Sequence, residues 1–115
     1  MAKSRSYQET LLEALKDPLE AAEYLNAALE EGDPEVFLLA LRDVADSHGG
    51  MTNLAELTAL NRENLYRMLS RKGNPEFFSL STILNALGFR LAVEPTDQEL
   101  SKTKKSTKLE STTQA

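Results

Sequence analysis

The chain has 115 residues, of which 41% are apolar and 6% aromatic, with no Trp. That supports one small domain packed through Leu and Ala. The absence of Cys excludes a disulfide framework and thiol chemistry, and a net charge of −5 argues at first sight against a polyanionic partner.

The opening "MAKSRSYQET" carries no apolar signal-like stretch. The longest unbroken apolar run, "VFLLAL" from Val36 to Leu41, is far too short to span a bilayer. On these features the chain is expected to be cytoplasmic, with no membrane partner.

The first six residues read as a flexible start. Tyr7 to Lys16 reads as a short helix with Leu11, Leu12 and Leu15 on one side. "DP" at Asp17–Pro18 restarts the chain, with Asp as cap and Pro at the first helical position. The second helix carries Leu19, Ala22, Leu25, Ala28 and Leu29 at helical spacing and stops at Gly32. A second "DP" at Asp33–Pro34 starts a third helix whose Val36, Phe37, Leu38, Ala40, Leu41 and Val44 run nearly all round, which suits the centre of a core.

Met51 to Thr58 reads as a short helix with Thr52 as its cap and Leu54, Ala55 and Leu57 inward. Asn61 caps the next helix, Asn61 to Ser70, which "RKGNP" breaks. Ser79 to Leu87 is a further helix, closed by Gly88. In "FRLAVEP", Phe89, Leu91 and Val93 alternate with Arg90, Ala92 and Glu94, a strand period ended by Pro95. The tail from Thr96 to Ala115 is rich in Lys, Ser and Thr and reads as disordered.

The net charge hides three zones. Tyr7 to Asp46 holds eleven Asp or Glu against Lys16 and Arg42, a balance of −9. Asn61 to Asn74 holds Arg62, Arg67, Arg71 and Lys72 against Glu63, a balance of +3. In the tail, four Lys face three acids. A nucleic-acid site requires a local basic face, which the second zone supplies.

Two short helices joined by Ala59-Leu60-Asn61, with the small Ala55 for a close crossing and Leu60 as a plug, suit a helix-turn-helix over about residues 51–70. With Leu65 facing inward and about 100° per residue, Met68 and Leu69 fall within about 60° of it, while Glu63 and Arg67 point away. Arg62, Glu63 and Arg67 then face base edges, Arg toward guanine O6 and N7 and Glu toward cytosine N4. Thr52, Asn53, Asn61, Arg71 and Lys72 suit phosphates, helped by backbone N–H groups at both helix starts. Asn64 and Tyr66 complete the DNA-binding set. An amphipathic helix with an Arg-rich wet face is the plainer alternative.

The span Tyr7 to Pro95 resembles the probable addiction module antidote proteins, a HigA-like branch of the Xre/Cro-type regulators. The matching pieces are "ETLLEALKDPLEAAEYLNAALEEGDPEVFLLALRDVA", "GGMTNLAELTALNRENLYRMLSRKGNP" and "LSTILNALGFRLAVEP". The resemblance implies an all-α domain of five or six helices with one short C-terminal strand. It also implies an antitoxin that represses its own operon and neutralises a small basic toxin of the RelE/ParE superfamily, often a ribosome-dependent mRNA interferase. Two departures stand out. Relatives usually carry Gly where this chain has Ala59; if that turn needs a positive φ, Ala costs on the order of 1 kcal/mol. After "GNP", "EFF" is more apolar than in relatives, so Phe77 and Phe78 are expected to add core.

The acidic N-terminal faces read either as solvated helix surfaces or as a docking surface for a cationic protein. On either reading, acid kept away from Arg62, Arg67 and Arg71 lowers non-specific DNA affinity. A lone strand leaves backbone groups unpaired. It is expected to pair with its own copy through Phe89, Leu91 and Val93, with Leu91 near the two-fold axis, giving a homodimer for a palindromic operator. Addition to a toxin sheet is the rival.

His48, the only histidine, sits in a Gly-rich turn and reads as a surface residue. Glu30–Glu31 reads as a solvated helix end and Gly49–Gly50 as a turn, so no catalytic residue, metal site or cofactor is expected and the chain is not read as an enzyme. The alternatives to an antitoxin are a DNA-binding regulator with no toxin and a protein-interaction module on the same fold.

Overall fold

A computed structural model describes the backbone of residues 2–96 and the side chains from Tyr7 to Thr96. The Lys-rich segment 97–115, expected to be disordered, lies outside the described residues. The described residues form six helices: α1 (Ala2–Ala14), α2 (Pro18–Glu31), α3 (Pro34–Ser47), α4 (Gly50–Thr58), α5 (Arg62–Met68) and α6 (Phe77–Ala86).

Local chemistry explains most of the boundaries. The carboxylates of Asp17 and Asp33 accept the N–H groups of Leu19 and Glu35, each at 2.9 Å, with Pro following at the first helical position. Gly32 ends α2 in the left-handed region, at φ +79°. α1 begins at Ala2 rather than Tyr7, and α6 begins at Phe77 rather than Ser79. α4 begins at Gly50, so Thr52 lies in its first turn and Gly49 is the cap.

α3 occupies the centre, burying Phe37, Leu38, Ala40, Leu41, Val44 and Ala45. α1, α2 and α4 pack against it, and α4 in turn carries α5 and α6. Leu15, Leu41, Leu54, Leu65 and Ile83 are the largest wholly buried side chains, so the centre of the core is built from Leu and Ile drawn from α3, α4, α5 and α6 and from the turn that follows α1. The α3–α4 corner is tied by polar contacts. The Asn53 amide donates to the His48 carbonyl at 2.7 Å, and His48 Nδ1 lies 3.0 Å from the Val44 carbonyl. His48 is therefore half-buried in this corner rather than a plain surface residue.

Several apolar residues lie elsewhere than expected. Leu57 is 56% exposed, because the inward stripe of α4 runs through Met51, Leu54 and Ala55 and Leu57 falls off it. Leu19 and Leu29 of α2 are exposed, while Ala21 is buried. Phe77 and Phe78 add no core. They are 62% and 79% exposed and meet edge to face, ring centres 5.2 Å apart, since α6 turns Ile83 and Leu84 inward.

The expected strand at 89–94 is not present among the described residues. The segment is not helical, but no neighbouring strand lies beside it to complete a ladder. Phe89 and Leu91 pack against the helical core, Arg90 and Ala92 are exposed, and Val93 is 99% exposed.

Candidate nucleic-acid interface

α5 is set by its cap. Asn61 lies in extended backbone, and its side-chain oxygen accepts the N–H groups of Glu63 at 2.8 Å and Asn64 at 3.1 Å. Those two first-turn donors are thereby satisfied inside the chain and are not offered to a phosphate, contrary to the expectation for this helix start. α4 has no side-chain cap at its own start.

Inside α5, Leu65 is wholly buried, Leu69 just beyond it is buried, and Met68 is packed against the core. Arg62, Glu63, Asn64, Arg67, Arg71 and Lys72 are all exposed. The helical rotation thus puts the expected base-reading side chains Arg62, Glu63 and Arg67 in solvent, with Arg67 opposite the buried Leu65. Arg67 Nη2 donates to the Asn64 side-chain oxygen one turn earlier, which orients the guanidinium along the helix.

The approach from α4 to α5 depends on Ala59 and Leu60. Ala59 adopts φ +61°, the only positive φ of a non-Gly residue among those described. Its N–H donates to the Ala55 carbonyl at 2.9 Å, closing α4 with a left-handed cap. The departure from Gly at this position therefore carries the expected strain. Leu60 packs against the core, and its N–H donates to the Thr58 hydroxyl at 3.2 Å.

After α5, Gly73 closes the break. Its N–H donates to the Ser70 carbonyl, and a Cβ there would collide with the Met68 carbonyl oxygen. Only glycine fits against this backbone.

Thr52 is exposed on α4, while the Asn53 amide is engaged with His48. The Tyr66 ring lies under the Arg42 guanidinium, 5.0 Å from ring centre to Cζ, and remains 41% exposed. Sequence spacing gave no sign of this contact, because α3 and α5 are far apart in the chain. A second long-range contact corrects the expected charge layout. Glu35, at the start of α3, approaches Arg71 at 3.7 Å, so the acidic zone is not kept clear of the whole basic face. Both side chains are largely in solvent, where such a pair has little effect on stability.

Among the described residues there is no cluster of His, Cys, Asp or Glu arranged to hold a metal, and no helix is long and apolar enough to cross a membrane.

A family model described as "Probable addiction module antidote protein" matches residues 7–95. An uncharacterized protein of Haemophilus influenzae is 37% identical over 71 residues, covering 62% of this chain and 72% of that protein. No solved structure shows a significant match. With its helical order now described and nearly all of its described residues spanned by the family model, the chain belongs to the probable addiction module antidote family.

Proposed function

We propose that the protein is an antitoxin that binds DNA as a homodimer and represses its own operon, α4 and α5 forming the helix-turn-helix. The observation that carries this reading is the exposed row Arg62, Glu63 and Arg67 on a short helix capped by Asn61 and anchored through buried Leu65. In this reading Arg67 and Arg62 address guanine edges in the major groove, Glu63 accepts from cytosine, and Lys72, Arg71 and Thr52 face phosphates. Tyr66 stands beside the groove with its ring held by Arg42 and its hydroxyl available to the backbone of the duplex. Two such helices related by a two-fold axis read half-sites about 34–36 Å apart.

The toxin part of the reading rests on family membership. The antidote supplies the acid-rich faces of α2 and α3, and a small basic toxin of RelE/ParE type matches them in charge. Opposite charge accelerates such encounters and selects the partner. A band-shift with DNA from upstream of the gene tests the first part: the wild-type chain retards that fragment, and Arg67→Ala does not at the same concentration. Co-expression with the product of an adjacent small basic reading frame tests the second: the two proteins co-purify, and growth inhibition by that product is relieved. Absence of a shift removes the repressor, and absence of co-purification removes the toxin partner.

A further inference from the structure

We propose that residues 90–94 form an antiparallel ladder with the same residues of a second copy, about a two-fold axis that passes through Ala92. This deepens the homodimer of the proposed function, but it stands on observations that involve neither DNA nor toxin.

The segment is built as an open edge. Among the described residues no backbone hydrogen bond uses residues 90–94, the last such bond being Phe89 N–H to Leu84 O at 2.8 Å. The run is bounded by Gly88 at φ +96° on one side and by Pro95, which has no N–H to donate, on the other. Side chains alternate across it. Phe89 and Leu91 turn toward the core, and Arg90 and Ala92 turn toward solvent.

Register follows from charge. With the axis at Ala92, Arg90 of each copy lies opposite Glu94 of the other, Leu91 lies opposite Val93, and Ala92 lies opposite itself. Two opposite-charge pairs form on the outer face and two apolar pairs on the core face. Moving the axis to Leu91 puts Arg90 opposite Ala92 and Glu94 opposite Gly88, and moving it to Val93 puts Glu94 opposite Ala92. Neither choice pairs the charges.

The same register accounts for Val93. It is the most exposed large apolar side chain among the described residues, at 99%. Beside Leu91 run two open apolar grooves. One, of about 290 Å³, is lined by Ala28, Leu29, Phe37 and Leu80; the other, of about 330 Å³, is lined by Ala22, Leu25, Phe37 and Leu84. Pairing Val93 with Leu91 of the other copy lays it on the core face of that copy, at these grooves. Ala92, small and facing itself across the axis, lets the strands approach.

Sedimentation of the full chain gives the test. The wild-type protein is a dimer. Arg90→Glu and Glu94→Arg each place like charges opposite one another and raise the dimer dissociation constant about tenfold or more, and the double variant restores it. Because the chain has no Cys, Ala92→Cys gives one thiol per copy. Facing residues of an antiparallel pair have Cα atoms about 4.5–5.5 Å apart, within disulfide range, so mild oxidation yields a covalent dimer. Leu91→Cys, displaced along the ladder, yields little. A monomeric wild-type chain, charge reversals without effect, a double variant that stays dissociated, or cross-linking at residue 91 in preference to 92 overturns the proposal. Circular dichroism of each variant separates lost pairing from lost folding. Band-shift behaviour is not among these readouts, so failure here is distinguishable from failure of the DNA-binding reading.

Discussion

The guanidinium of Arg42 lies over the ring of Tyr66, 5.0 Å from its centre. This joins the central helix α3 to α5, the helix that carries the candidate reading face. Arg42 Nε is buried without a hydrogen-bond partner, and the face of the Tyr66 ring lies against its guanidinium. A double-mutant cycle of Arg42→Met and Tyr66→Leu is expected to give a coupling of about 0.5–1 kcal/mol in urea unfolding. A coupling near zero means that the two side chains merely lie near each other.

Ala59 holds a left-handed conformation at the end of α4. Ala59→Gly removes the Cβ clash but adds freedom to the unfolded chain. The first effect exceeds the second at φ +61°, so the variant is expected to be more stable by up to about 1 kcal/mol, read as a higher Tm. A lower Tm shows that the strain is relieved by means other than glycine.

Gly73 presents the opposite case. Gly73→Ala drives a methyl group into the Met68 carbonyl, so the break after α5 must move. A loss of about 1–3 kcal/mol is expected in denaturant unfolding. An unchanged midpoint shows that the turn re-forms without cost.

Arg67→Ala and Lys72→Ala separate base reading from phosphate attraction. The first is expected to lose about 1–3 kcal/mol on the operator and to relax choice at one base position. The second weakens all sequences alike and lowers the salt slope by about one. Titrations at several salt concentrations, with operator and scrambled duplexes, distinguish the two. If Arg67→Ala binds the operator normally, the reading face lies elsewhere.

Alkaline stability depends on Tyr24. Its hydroxyl donates to the Asp43 carboxylate at 2.7 Å, and burial, then that bond and the Asp43 charge, push its pKa far above the usual tyrosine range. The folded state therefore keeps a proton that the unfolded chain releases. The contribution is fully present below about pH 10 and is lost as pH rises above it. Tyr24→Phe is expected to cost about 1 kcal/mol at neutral pH and to flatten the alkaline limb of a stability–pH curve. A limb unchanged by the substitution assigns the alkaline loss to other groups.

Features that depend on neighbours in the chain were legible in the sequence. Asp17–Pro18, Asp33–Pro34 and Asn61 mark helix starts because each side chain bonds a backbone N–H two or three residues on. Leu65 and Arg67 take opposite faces of α5 because helical rotation alone places them there. Strain at Ala59 followed from the sequence only as a condition, since relatives usually carry Gly there, and the structure supplies the positive φ. What only the tertiary structure decided is which apolar positions find a cover and which charges meet. Leu57, Leu29, Phe77 and Phe78 have the chemistry of core residues, yet no helix packs over them. Glu35 reaches Arg71, and Arg42 reaches Tyr66, because α4, packed on both α3 and α5, brings these two helices within side-chain reach. The period of 89–94 marks an extended edge, but a ladder needs a second strand, and the chain contains no partner for it among the described residues. Periodicity reports which way a side chain points relative to its own element; what lies in that direction is fixed by packing between elements distant in sequence.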